Sequence, residues 1–162
     1  MNAARKADSN VAPFAVPPVV KSVQLSCQSV VAFELFTRDI HAWWPTTTHS
    51  LQGAAVVAVA FEPRFGGRLY ERSAGGDERL WGTVTAWEPP IRVAFTWHVG
   101  REPDYAQLIE VTFTPRAGGT YVELVHSGWE RLGADAERLR DEYNKGWNLV
   151  FVQRYADYAR AV

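Results

Sequence analysis

The sequence predicts an α+β fold in which a curved antiparallel sheet of about seven strands wraps around one long C-terminal helix, with two short helices after the first strand. Three observations carry that expectation. Only Asp135 to Val162 is both long and periodic enough for a full-length helix. Leu139, Tyr143, Trp147, Val150, Phe151 and Tyr158 fall on one stripe of a 3.6-residue repeat, while Arg138, Asp141, Glu142, Lys145, Asn148 and Arg160 fall elsewhere. Ala54 to Trp129 instead reads as short β-rich runs separated by turn chemistry. Finally, the chain carries seven Trp, six Tyr and eight Phe, so the aromatic face of that helix needs a broad concave partner. Only the strands can supply it.

Taken in order, Met1 to Pro18 is rich in Ala, Pro and polar residues without periodicity, and is expected to be a flexible tail ahead of a single domain over 19–162. Val19 to Gln28 reads as the first strand. Ser29 to Arg38 reads as a short helix capped by Ser29, and Ile40 to Trp44 as a second helical turn stopped by Pro45. Thr46 to Gly53 is a polar connection. Six strands follow at about 55–62, 66–73, 79–88, 91–98, 106–115 and 120–128, divided by Pro63, Gly66-Gly67, Gly75-Gly76, Pro89-Pro90, Gly100 and Gly118-Gly119. Turns this short pair neighbours antiparallel. Gly133 and Asp135 mark the start of the last helix, Asp135 as its side-chain cap, and Asp141 to Lys145 offers an exposed pair four apart.

Composition narrows the function classes. With 162 residues, 47% hydrophobic and 22% charged, the chain can bury a substantial core as one domain. Its 17 basic and 18 acidic residues are spread without long runs, which points away from nucleic acid and from an anionic membrane as partners. A single cysteine, Cys27, precludes an internal disulfide and fits a reducing, cytoplasmic setting. No apolar run approaches the length of a membrane span.

Strand parity says which side chains face the helix. Glu123 on the wet face puts Val122, Leu124 and His126 inside, and Glu110 outside puts Ile109, Val111 and Phe113 inside. Arg68 and Arg72 outside turn Leu69 and Glu71 inward. Val93, Phe95 and Trp97 are the inner set of their strand, leaving Ala94, Thr96 and His98 outside. Strand 79–88 stays open, since Trp81/Thr83/Thr85/Trp87 and Leu80/Gly82/Val84/Ala86 are both buriable.

These residues also carry a family resemblance. The run Gly66-Gly67-Arg68-Leu69-Tyr70-Glu71, then Trp81-Gly82-Thr83-Val84 through Glu88-Pro89-Pro90 to Phe95-Thr96-Trp97, resembles bacterial homologues of the activator of Hsp90 ATPase. Trp43-Trp44-Pro45, His126-Ser127-Gly128-Trp129 and Gly146-Trp147 follow the same pattern in the same order, so the resemblance spans roughly Val20 to Ala159. It implies the helix-grip architecture of the SRPBCC superfamily of START-like, polyketide-cyclase-like and Bet v 1-like domains, whose sheet and terminal helix often enclose a cavity for an apolar molecule. It does not fix a function, because one fold hosts carriers, cyclases and chaperone activators.

The expected ligand wall is Trp44, Phe61, Phe95, Trp97, Phe113, Trp147 and Phe151, with Glu71, His126 and Arg154 as polar groups. Each has a plainer reading. The aromatics are ordinary core, His126 a satisfied core histidine, Glu71 half of a structural ion pair, and Arg154 a stem reaching for solvent. No serine elbow, phosphate loop, paired-Cys or His-Glu-x-x-His motif occurs, and His41, His49, His98 and Cys27 are scattered, so neither a metal nor a cofactor is expected. The leading expectation is a binder of a small hydrophobic or aromatic molecule, acting as carrier, sensor or sequestration protein. The alternatives are a cofactor-independent cyclase, hydrolase or isomerase of a polyketide-like substrate working through Glu71 and His126, and a chaperone-side module. Against an Hsp90-type partner stands the lack of a second, amino-terminal contact region. A homodimer through Trp43-Trp44 or an edge strand is a further expectation.

Overall fold

In the computed structural model, residues 15–162 are described, so most of the expected tail lies outside the described residues. What is described of it is docked: Val16 packs against the core, and Arg140 donates to the carbonyls of Pro17 and Pro18 at 3.1 and 3.0 Å.

Seven strands form one antiparallel sheet in the order β1-β7-β6-β5-β4-β3-β2. They are β1 (Val19–Leu25), β2 (Val56–Phe61), β3 (Arg68–Ser73), β4 (Glu78–Glu88), β5 (Arg92–Trp97), β6 (Gln107–Arg116) and β7 (Gly119–Ser127). The edges, β1 and β2, are bridged by α1 (Ser29–Thr37) and α2 (Ile40–Trp43). The sheet curls as a half-barrel around the long terminal helix, the expected helix-grip arrangement. That helix has three parts: α3 (Ala136–Trp147), a π-helical stretch (Asn148–Tyr155) and α4 (Ala156–Ala161). Among the described residues no helix is long and apolar enough to cross a membrane.

The inner face follows parity closely. Val93, Phe95, Trp97, Ile109, Val111, Phe113, Val122, Leu124 and His126 are all buried, as are Leu69 and Glu71. His98, placed outside by parity, is nevertheless only 6% exposed, its Nδ1–H directed at the Arg101 carbonyl 3.1 Å away. The strand that parity left open, β4, draws on both candidate sets. Register shifts between Leu69 and Tyr70 on one side and Val84 and Ala86 on the other break its alternation. Trp81 of one set and Val84 and Ala86 of the other are therefore all buried, and the Trp81 ring lies 5.0 Å from Trp44 and that of half-buried Trp87 5.3 Å from Phe33. At Gly82 the sheet is so tight that a Cβ would fall 1.7 Å from the Thr96 carbonyl oxygen, so only glycine fits.

The middle of the grip is filled by rings. Phe36 contacts Phe61, Phe113, Phe151, Trp43 and Tyr155 with centroids 5.2–6.5 Å apart. Trp43 and Trp44 are 1% and 6% exposed, which removes the dimer contact expected of them.

The helix ends differ from expectation. The first residue of α1 is Ser29 itself, with Gln28 in the cap position. Asp135 makes no side-chain cap bond and instead pairs with Arg138 at 3.1 Å, Arg138 also holding Glu142 in place of the Asp141–Lys145 pair. The larger departure is the π-helical stretch, whose wider turn shifts the buried stripe by one residue. Trp147, Phe151, Tyr155 and Ala159, spaced by four, are all buried. Tyr155 is fully buried and donates to the Ala32 carbonyl at 2.7 Å. Arg154, which a 3.6-residue repeat puts on the stripe, is exposed, its Nε donating to the Trp43 carbonyl at 3.1 Å.

This phase shift has a measurable signature. Tyr155→Ala should cost about 3–5 kcal/mol, the range for a large core aromatic, whereas Arg154→Ala should cost under about 1 kcal/mol. Urea unfolding of both variants checks it, and comparable losses at the two positions would contradict the assignment.

Candidate functional site

The site begins with a stretch that the sequence marks only as polar. Pro45 ends α2 and forces Trp44 into an extended conformation, with φ −69° and ψ 127°. The chain then turns on itself: His49 N–H donates to the Pro45 carbonyl at 2.9 Å, Ser50 Oγ to the Thr46 carbonyl at 2.5 Å, and Gly53 N–H to Ser50 Oγ at 2.9 Å. The Trp44 indole N–H closes the turn by donating to the His49 carbonyl at 2.7 Å.

Glu71 fastens this turn to the sheet. Its carboxylate, fully buried on β3, accepts from Leu51 N at 2.7 Å, Gln52 N at 3.0 Å, Gln52 Nε2 at 3.3 Å and Trp81 Nε1 at 2.7 Å. No cation pairs with it among the described residues, so the ion-pair reading of Glu71 gives way to a cradle of four N–H donors. Such charge-assisted bonds are what allow a carboxylate to be buried.

His126 plays the equivalent part on the opposite wall. Its Nδ1 accepts from Trp147 Nε1 at 3.0 Å, which leaves Nε2 to donate to Gln107 Oε1 at 3.2 Å; Gln107 Nε2 in turn donates to the Tyr105 carbonyl at 2.6 Å. Burial holds its pKa down at about 3, so the ring is neutral. This is the satisfied core histidine, and its work is to orient Trp147.

In front of these two anchors lies an open cleft of about 390 Å³. The turn contributes Trp44, Thr48, His49 and Ser50; the end of β5 and the residues after it contribute Trp97, Val99 and Arg101; the terminal helix contributes Leu139, Glu142, Tyr143, Gly146, Trp147 and Val150. Trp44, Trp97 and Trp147 meet there with ring centroids 5.8–6.0 Å apart. Trp97 Nε1 donates to the Tyr143 hydroxyl at 3.0 Å, and burial pushes that phenol's pKa up.

Of the residues the sequence nominated, three tryptophans line the cleft. Glu71 and His126 stand behind its walls, Phe61, Phe95, Phe113 and Phe151 fill the grip, and Arg154 lies outside. Sequence reasoning missed Thr48, His49, Ser50, Arg101, Glu142 and Gly146. Gly146 alone left a signal, because a glycine inside a helix costs about 1 kcal/mol relative to alanine and asks for a reason. A Cβ there would meet nothing within 4 Å, since the position opens on the cleft.

The sequence profile of the activator of Hsp90 ATPase homologue 1-like proteins matches residues 30–159. The chain belongs to that family. Among solved structures, this family member is similar to an anthrahydroquino-gamma-pyrone synthase, Txn09, determined in complex with a compound designated SUM. The identity is 34% and the TM-score 0.61, over 90% of this chain and 98% of that one. The AHSA1-like protein of Aeromonas hydrophila aligns at 17% identity and TM-score 0.62, over 89% and 92% of the two chains. The self-sacrificing resistance protein CalC of Micromonospora echinospora aligns at 24% identity and TM-score 0.63, over 88% and 94%. These last two show a shared fold. Among curated proteins no sequence matches.

Two outcomes follow from the anchors. Glu71→Gln sets an amide NH₂ against N–H donors, and should cost about 1.5–3 kcal/mol while speeding hydrogen exchange at the Leu51 and Gln52 amides. Exchange unchanged at those two amides would contradict the cradle. For His126, the folded pKa of about 3 lies below the ordinary 6.5, so between those values the unfolded chain binds a proton that the folded one does not. Stability is therefore lost as pH falls through this window. Between pH 7 and 5 the wild type should lose roughly 2 kcal/mol more than His126→Gln, as read by urea unfolding at the two pH values.

Proposed function

We propose that this protein binds a planar, polycyclic phenol of the polyketide type in the cleft walled by Trp44, Trp97 and Trp147. The observation that carries this reading is the convergence of three indoles on an open space while the rest of the grip is packed with rings. The cleft volume of about 390 Å³ lies within the ~300–1,000 Å³ typical of small-molecule sites. Flat aromatic surfaces suit a flat ligand, and the hydroxyl, imidazole and guanidinium groups of Thr48, Ser50, His49 and Arg101 at its mouth suit phenolic and carbonyl oxygens.

A second reading is ring closure on such a compound, without a cofactor. It is favoured by one observation, the 34% identity to a gamma-pyrone synthase across 98% of that chain. In both readings Glu71 and His126 act by holding the walls rather than by touching ligand.

Tryptophan fluorescence tests the site. Titration with a hydroxyanthraquinone should quench the wild type saturably. Gly146→Leu, which puts a side chain into the open cleft, should abolish saturable quenching while leaving stability unchanged or raised by about 0.5–1 kcal/mol. Wild-type quenching by that variant would place the ligand elsewhere.

A further inference from the structure

The cleft holds one neutral base with a nitrogen to spare. His49 Nδ1 lies 2.7 Å from Thr48 Oγ1, and that hydroxyl also reaches the Pro45 carbonyl at 3.4 Å. Nδ1 is thus engaged by Thr48, and Nε2 is the ring nitrogen with no hydrogen-bond partner among the described residues; a base role for this ring takes the tautomer in which Nδ1–H donates to Thr48 Oγ1 and the lone pair lies on Nε2. The other titratable groups facing the cleft are Arg101, Glu142 and Tyr143. Arg101, after β5, is a fixed cation. Glu142, on the terminal helix, is held in an ion pair by Arg138 at 3.1 Å. Tyr143, on the same helix, is kept protonated by burial.

We propose that His49 is the general base of this cleft, taking the phenolic proton of the bound polycycle onto Nε2 and so starting an intramolecular ring closure. The inference rests on the reading of the cleft as a phenol-binding site and assigns the chemistry of that site to a residue. The step balances without oxidant or cofactor. The phenol O–H bond breaks and its proton goes to Nε2, and the freed oxygen pair forms a C–O bond to the β-carbon of a conjugated ketone on the same molecule. The displaced π pair becomes an enolate, whose charge faces the Arg101 guanidinium. Nε2–H then returns the proton to the α-carbon, so the net change is isomerisation. Desolvation lowers the pKa of His49 below its ordinary 6.5, so the ring is uncharged near neutral pH. The turn bonds around it, and Glu71 behind them, fix where that ring sits.

A chromophoric phenol reads the proton directly. 2-Hydroxyanthraquinone changes colour on ionisation, and would be titrated about one pH unit below its own pKa, where the free probe is protonated. Wild-type protein should bind it and shift its spectrum to the phenolate form. His49→Gln should bind within about threefold of the wild-type affinity yet leave the phenol spectrum. Thr48→Val, which keeps the ring but removes the partner of Nδ1, should shrink the phenolate band without abolishing binding. A phenolate band of wild-type size in His49→Gln, or a phenol spectrum in all three bound proteins, overturns the assignment of His49 alone. No saturable binding by the wild type overturns the reading of the cleft and the base with it.

Discussion

The architecture around the cleft depends on a single buried negative charge. Glu71 is fully buried with no cation beside it among the described residues, and four N–H groups are aimed at its two oxygens. Three of those donors belong to the turn after Pro45 and one to the Trp81 indole. The carboxylate thus ties three separate pieces of chain together: β3, β4 and a segment that would otherwise be a loose connection. Trp44 is held to the sheet by its ring contacts, and Glu71 fixes the turn that follows it, with His49, against β3 and β4. The position of Trp81 depends in turn on a register shift in the β3–β4 pair, so the irregular strand and the buried charge require each other.

The opposite wall is built on the same logic with different chemistry. A chain of hydrogen bonds runs from the Tyr105 carbonyl through Gln107 and His126 to the Trp147 indole. Each member is satisfied, and the imidazole packs on Trp129 with centroids 4.1 Å apart and planes tilted by 35°. Both walls therefore bring an indole to the cleft and hide its polar support behind it, and buried polar networks confer rigidity only when every member is paired. Rigid aromatic walls suit a rigid flat ligand, because little order has to be created on binding.

How much of this was legible in the sequence depended on the distance over which each feature is encoded. Strand parity is local, so the burial of Val93, Phe95, Trp97, Val122, Leu124 and Glu71 could be read directly. In β4 the local rule gave two answers because the strand contains two register shifts, and a shift is set by the partner strand. The terminal helix was legible in type and extent but misphased beyond Phe151, since a 3.6-residue repeat selects Arg154 and the π-helical stretch selects Tyr155. Asp135 read as a cap but found Arg138 instead. His49 was the hardest to read, a lone histidine in a polar loop, because what makes it chemically pointed is the turn around it and the Glu71 cradle on another strand. His126 and Glu71 were correctly judged inward, yet facing inward in this fold means supporting a wall as often as lining a space.

The π-helical stretch has a consequence for how the terminal helix can change over time. Relative to a regular α-helix it holds in effect one extra residue, and one residue corresponds to about 100° of rotation. The first half, with Tyr143, Gly146 and Trp147, addresses the cleft, while the second, with Tyr155 and Ala159, addresses α1 and the core. The wide turn separates the two angular settings. Ligand-facing residues can therefore diversify without re-registering the half that locks the fold, and losing a single residue within 148–155 would be felt as a rotation of everything after it rather than as a shortening.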